Sequence, residues 1–266
     1  MAPLLLALFL LYTPLDQAFE RLYNFDFDRA DAILESHLEK QPQDHFAHAI
    51  RASSLLFREL DRLAILESEF FADDDRIKDK RKLRPDTALR QSLFASIERA
   101  RSTADAALKI NPQDADAMFS MALSYGIQTD YLALVEKRQI GSLSLAKQSQ
   151  SWAARALRIN PALHDAYLTS GINEYLIGSL PFFVRWFVRM EEVEGDKRKA
   201  AQNLERVAVQ GRYFGPFARI LLSLIYLRES QPDASHAQMQ RLARDYPENP
   251  LFRKELAKLA LLLKKQ

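Results

Sequence analysis

The sequence predicts an all-α protein: an α-solenoid of antiparallel helix pairs with long helical insertions and a C-terminal capping helix. Three observations carry that prediction. Apolar residues recur at three- and four-residue spacings along nearly the whole chain, as in Ala30-Ile33-Leu34-Leu38 and Leu204-Val207-Ala208, and strand-like alternation is hard to find over six residues. Glycine is scarce, 7 of 266 residues, where a sandwich or barrel of many short strands would need it at its turns. A proline-bearing turn also recurs between amphipathic helices: Pro42-Gln43-Asp44, Asn111-Pro112-Gln113-Asp114, Asn160-Pro161 and Tyr246-Pro247-Glu248-Asn249.

Composition narrows the chemistry. Apolar residues at 48% and charged residues at 27% describe a folded soluble chain, not a disordered one. The absence of cysteine excludes disulfide frameworks, thiol catalysis, iron–sulfur clusters and cysteine-type zinc sites. A net charge of +2 gives the whole molecule no pull toward nucleic acid.

At the N-terminus, residues 2–12 are apolar and uncharged. As a helix they would reach about 16 Å, well short of a hydrocarbon core of about 30 Å. That length suits the apolar region of a secretory signal peptide, residues 1–18, with cleavage after Ala18 and export to the periplasm. Against it, no Lys or Arg precedes the run and Asp16 stands three places before the cut. The alternative is a buried first helix, in a cytoplasmic or membrane-associated protein.

Beyond that segment the chain reads as one domain, residues 19–266. Ten residues after each turn proline stand Ala52, Ala122, Gly171 and Ala257, all small, and five residues before two of them stand Ala107 and Ala156. Small side chains at those offsets let two antiparallel helices approach closely, and the proline ends the second helix. The register gives five units, 11–44, 45–114, 115–163, 164–215 and 216–249, with residues 250–266 as the cap. Surplus length falls between the first and second helix of a unit, and residues 178–195 are one such insertion.

This pattern resembles the tetratricopeptide repeat (TPR), a 34-residue helix–turn–helix unit. Residues 216–249 fit one unit without a gap, with Leu222, Ser223 and Tyr226 at its positions 7, 8 and 11, Ser235 at 20 and Pro247 at 32. Met121, Ala122 and Tyr125 match the first helix of unit three in the same way. The whole chain is similar to a bacterial group of TPR-like proteins with export signals and long internal helices. The segments that carry this likeness are residues 22–28, residues 177–183, Gly195-Asp196-Lys197 and Tyr213-Phe214. The resemblance implies a solenoid and export, and no particular activity. It also implies which first-helix positions face the hollow. These are Asp116, Phe119, Leu123, Gly126 and Ile127 in unit three; Asp165, Leu168, Ile172, Tyr175 and Leu176 in unit four; and Phe217, Ile220, Leu224, Leu227 and Arg228 in unit five. The Lys and Asn clamp by which some members hold a terminal carboxylate is missing. The expected surface is apolar and aromatic, a candidate concave binding face.

Catalytic patterns are absent: there is no phosphate loop, no zinc helix of the H-E-x-x-H type and no G-x-S-x-G elbow. His45 and His48 beside Asp44 have metal-ligand spacing, yet a capped helix start explains them better, so neither metal nor cofactor is expected. The bases between Arg76 and Arg84 follow the acids Asp73, Asp74 and Asp75 and read as a solvated loop. The most unusual stretch holds Phe182, Phe183, Arg185, Trp186, Phe187 and Arg189. It is a candidate lid over a greasy groove or a membrane-interface patch, although an insertion packed into the solenoid's own hollow is the favoured account. The functional expectation is a non-enzymatic scaffold that binds a protein or peptide partner. A binder of a small hydrophobic molecule is the alternative; nucleic acid is not expected, and peripheral membrane contact is not favoured.

Overall fold

The computed structural model of the chain describes residues 12–66, 83–179 and 197–264. Among them are eleven α-helices and no strand. They are α1 (Pro14–Tyr23), α2 (Phe27–Lys40), α3 (His45–Arg62), α4 (Thr87–Ile110), α5 (Ala115–Asp130), α6 (Gln139–Ile159), α7 (Tyr167–Ser179), α8 (Lys197–Gln210), α9 (Gly215–Arg228), α10 (Pro232–Asp245) and α11 (Pro250–Leu263). Each helix packs chiefly on its neighbours in sequence, α1 on α2, α3 on α4, α5 on α6, α7 on α8, α9 on α10, with α11 closing the last pair. This is the all-α solenoid that the periodicity predicts. No helix among the described residues is long and apolar enough to cross a membrane. The basic cluster's residues from Arg76 to Lys82, and the whole aromatic stretch Phe182, Phe183, Arg185, Trp186, Phe187 and Arg189, lie outside the described residues.

The recurring turn works through its acid or amide. Asp44 accepts hydrogen bonds from the backbone N–H of Phe46 (3.0 Å) and Ala47 (2.9 Å), Asp114 from that of Ala117 (2.9 Å), and Asn249 from that of Leu251 (2.9 Å). Each satisfies a donor that helix geometry leaves open, worth about 1 kcal/mol. Close packing follows the small residues. Ala52, Ala122 and Ala156 are fully buried, and a Cβ at Gly171 would sit 2.8 Å from Leu204 Cγ. Ala257 is exposed, because no described helix follows α11 to cover it.

Scarce glycine leaves its mark at the helix ends. Four described residues other than glycine take positive φ: Phe25 (62°), Ala64 (54°), Lys137 (56°) and Ser230 (58°). At Phe25, Ala64 and Ser230 the next residue's N–H reaches back five positions to a helix carbonyl, the cap that glycine usually makes. An L side chain in that region costs about 1 kcal/mol.

Unit four breaks the turn pattern, and the break organises the molecule. Leu163 stands where Asp44 and Asp114 stand in their turns, and α7 begins through a short 3₁₀ turn, His164–Ala166. The nearby Asp165 turns away from its own helix start. Its carboxylate, 4% exposed, accepts from the backbone N–H of Arg212 (3.1 Å), Tyr213 (3.2 Å) and Phe214 (2.9 Å), fixing the corner before α9. Burial pushes this carboxyl above the ordinary aspartate range, against the opposing pull of the three donors. Gly211 permits the approach: a Cβ there would stand 2.5 Å from Asp165 Oδ1.

That corner receives the N-terminus. Phe19 of α1 stacks on Tyr213 (5.0 Å between ring centres) and meets Phe214 edge-on (5.2 Å), and Phe46 and Phe119 complete the cluster. The Tyr23 hydroxyl donates to the Tyr213 carbonyl (2.9 Å), and Asn249 Nδ2 donates to the Tyr23 carbonyl (2.8 Å). Asp16 takes both arms of the Arg212 guanidinium (3.1 and 2.9 Å) while it also accepts from the Thr13 N–H, closing the capping box of α1. Ala18, the expected cleavage point, is fully buried within this helix. Cleavage there would remove the Thr13 cap, Leu15 and the Asp16–Arg212 pair.

The gap between α3 and α4 is held at its neck. Glu59, fully buried, accepts from Arg62 Nε (2.7 Å) and Nη2 (2.9 Å) and from the Asp86 N–H (2.9 Å), and Arg62 also donates to the Arg84 carbonyl (2.6 Å).

Two outcomes are expected. A chain beginning at Phe19 should be less stable than one beginning at Tyr12 by about 3 kcal/mol or more, from the lost cap, the lost burial of Leu15 and half a helix; equal thermal melting of the two would contradict the closure. Asp165→Asn puts an amide N–H among backbone donors, and should lower stability by about 2–4 kcal/mol. Urea unfolding, followed by tryptophan fluorescence, measures that change.

Candidate functional site

With α1 seated against the corner, the inner surface divides into two parts of different character. Phe119, Leu123, Ile127 and Leu168 are 3%, 7%, 6% and 4% exposed and belong to the main core. Phe119 packs against Phe46 of α3 and Phe214 at the corner, the two rings that Phe19 of α1 also meets. Asp165 is likewise buried and committed to the corner. Ile172 and Tyr175 are half-buried and pack against the same core. These residues therefore hold the fold together.

The other part keeps a narrow apolar groove, in which Leu22, Tyr23, Met239, Phe252 and Leu259 are buried while Phe57, Phe217, Ile220 and Leu224 are half-buried. Its walls come from both ends of the chain: Leu22, Tyr23 and Phe25 at the end of α1; Phe57 of α3, and Leu66 beyond it; Phe217, Ile220, Leu224 and Leu227 of α9; Met239 of α10; and Leu251, Phe252 and Leu259 of α11. Of the expected inward positions, Phe217, Ile220, Leu224 and Leu227 are brought together here, while Arg228 is exposed at the end of α9. Spacing explains the wall from α9: Phe217, Ile220, Leu224 and Leu227 follow at three and four residues, one face of one helix. Phe57 meets Phe217 edge-on at 5.3 Å and joins that wall to the N-terminal half.

Polar groups in the groove are satisfied internally. Ser223 Oγ and Ser235 Oγ share a hydrogen bond of 2.9 Å, and the Glu255 carboxylate, 3% exposed, accepts from Lys258 Nζ at 2.8 Å. What the described residues of the groove offer a ligand is therefore mainly apolar and aromatic contact.

The histidines stand apart from this groove. His45 Nδ1 lies 2.8 Å from Ser120 Oγ, His48 Nε2 3.0 Å from the Pro42 carbonyl, and His37 Nε2 2.7 Å from Asp44 Oδ2. They brace neighbouring helices, and burial pushes the His48 imidazole below its ordinary range. No group of three potential metal ligands occurs among the described residues.

Comparison with solved structures agrees with the fold. A thermophilic TPR protein from Thermus thermophilus aligns over 93% of this chain and 97% of its own, with a TM-score of 0.50 and 18% sequence identity. The chain is TPR-like in fold. No protein family and no curated protein matches its sequence.

Phe25, Phe57, Leu66, Met239 and the α11 residues escaped the sequence reading, which took inward positions only from the first helices of units three to five. The apolar stripe Leu251-Phe252-Leu259 on the cap helix was the available signal. Phe25 and Ala64 provide a paired test, since both hold positive φ but only Phe25 lines the groove. Ala64→Gly should raise stability by about 1 kcal/mol. Phe25→Gly should leave stability within about 1 kcal/mol of the parent, relief of strain offsetting the lost ring, while weakening any groove ligand. Urea denaturation of both variants, with ligand titration of the second, measures this.

Proposed function

We propose that this protein is a non-enzymatic interaction scaffold whose groove takes an apolar segment of a protein partner. The observation that carries the proposal is the groove's composition: four phenylalanines and a set of aliphatic side chains drawn from α1, α3, α9 and α11, with the polar groups turned to one another. Buried aromatic anchors of this kind supply most of the affinity at protein interfaces. A helix laid with its apolar face into such a groove, or an extended segment, suits it better than a polar ligand would.

Export belongs to the same proposal. The uncharged run of residues 2–11 supports it, and the burial of Ala18 favours processing upstream of Thr13. The same apolar lining would also accommodate a small hydrophobic molecule, which is the second reading.

One experiment separates these readings. Ile220→Asp with Leu224→Asp places two carboxylates on the half-buried α9 wall. Circular dichroism should show unchanged helicity, and affinity for a partner should fall at least about tenfold, or about 1.4 kcal/mol. The measurement is affinity capture from the native source with parent and variant chains, then native mass spectrometry. A protein retained by the parent and lost by the variant supports the scaffold. A lipid or other small molecule bound to the purified parent supports the second reading instead. Proteins captured equally by both chains defeat a role for the groove.

A further inference from the structure

Helix α5 ends in an irregular turn, away from the groove. Its inner face carries Phe119, Leu123 and Ile127, all buried in the main core, and the next residue on that face is Asp130. Leu134, one turn further, packs on the same core, so a single carboxyl group interrupts an apolar stripe. There the α-helix gives way to a π-helix, Tyr131–Val135, and the Glu136 N–H donates five positions back to the Tyr131 carbonyl (3.2 Å). The Arg138 N–H donates to the Leu132 carbonyl (2.8 Å), and Lys137 takes positive φ, 56°. Single-turn π segments are rare and are frequent at functional sites.

Polar groups at this junction lack partners. Gln128 Oε1 and the hydroxyl of the fully buried Tyr131 have none. Asp130 makes no cap to the turn that it starts, and among the described residues no donor reaches its carboxylate. The charged groups at this end of the helices packed around α5 are engaged elsewhere. On α3, Arg58 meets Asp28 and Asp31, and Glu59 meets Arg62; on α4, Arg90 meets Glu136, which also meets Arg138; on α7, Glu174 meets Lys199. Asp61 of α3 and Lys147 of α6 have interactions of their own, and the Tyr175 hydroxyl of α7 has no partner. Burial alone acts on the half-buried Asp130, and it pushes the carboxyl up to about 7.

A hydrated aspartate titrates near 4. Between about pH 4 and 7 the packed turn therefore holds a proton that a hydrated Asp130 gives up. Rising pH in that window must favour whichever arrangement hydrates the carboxylate better, and the effect levels off above it. The junction supplies such an arrangement, because a π turn, strain at Lys137 and unpartnered polar groups make it locally weak.

We propose that residues 130–138 form a proton-operated hinge. With Asp130 neutral the turn packs against the core; with Asp130 ionised it opens to water, loosens the α5–α6 pair and exposes the inner face at Ile127 and Leu134. The hinge does not depend on what the groove binds.

Hydrogen exchange of the full chain between pH 5 and 8, corrected for intrinsic rates, tests this. Linkage allows up to about tenfold per pH unit, so protection of amides 131–138 should fall at least about tenfold from pH 5 to 7 and then level off. Protection in α10 should not follow it. Asp130→Asn, which cannot ionise, should keep the turn protected at every pH. Tyr131→Phe removes an unpartnered hydroxyl but leaves the carboxyl, and should keep the parent's pH profile. An Asp130 carboxyl signal that titrates near 4 by NMR overturns the proposal. So does a flat profile in the parent, an equal fall throughout the chain, an unchanged profile in Asp130→Asn or a lost one in folded Tyr131→Phe. Circular dichroism at pH 5 checks that the variants fold, and the parent's own titration and exchange profile decide the outcome where one does not.

Discussion

The molecule turns on the Asp165 carboxylate and the three backbone N–H groups of residues 212–214 that it holds. A buried carboxylate without partners is costly, and an unpaired corner of backbone is costly too; each removes the other's penalty. The price falls on sequence freedom, because only glycine at position 211 leaves room for Asp165 Oδ1. Once the corner is fixed, Tyr213 and Phe214 are fixed with it, and Phe19 and Phe46 have a surface on which to pack. A contact between residues 165 and 214 thereby decides where the N-terminal helix goes.

Seating α1 bears on the inner surface at two places. Near unit three it packs Phe19 against Phe46 and Phe214, the same two rings that meet Phe119. Near unit five it supplies a second bank, with Leu22, Tyr23 and Phe25 facing α9 and α11. The groove is therefore the part of the hollow that closure leaves unfilled. The Glu59–Arg62 clasp at the neck of the α3–α4 gap helps define it, because Leu66, which lines the groove, lies just beyond that clasp.

The fold class and the turns could be read from the sequence because both depend on neighbours in the chain. Apolar spacing gives the helices, and Asp44, Asp114 and Asn249 act on donors two or three residues away. The open part of the hollow was legible on α9 for the same reason: Phe217, Ile220 and Leu224 share one face of one helix. Closure was not legible. Nothing near Asp165 marks it as a ligand for backbone 49 positions away, and nothing near Phe19 marks Tyr213 as its partner. Assigning inward positions residue by residue assumes an open solenoid, so it returned Phe119 and Leu123 as surface when long-range packing had made them core. The positive-φ residues escaped notice because a chain poor in glycine caps its helices with whatever side chain the position holds. Strain at Ala64 or Ser230 leaves no pattern of its own.

Closure and groove share their residues, so they share their energetics. Tyr23 lines the groove and also donates to Tyr213 and, through its carbonyl, receives Asn249, the cap of α11. Phe252, one turn into α11, lines the groove and packs near Tyr246, which in turn meets Tyr23. An occupant touching both banks would bind the closed arrangement and not one in which α1 has lifted away. By mass action it would stabilise the seam by RT ln(1 + [L]/Kd). The reverse also holds: any change that loosens α1 from the corner, even one far from the groove, must lower affinity by the fraction of molecules left open. Asp165 and Arg212 do not line the groove, yet on this account they set how much of the protein is competent to bind.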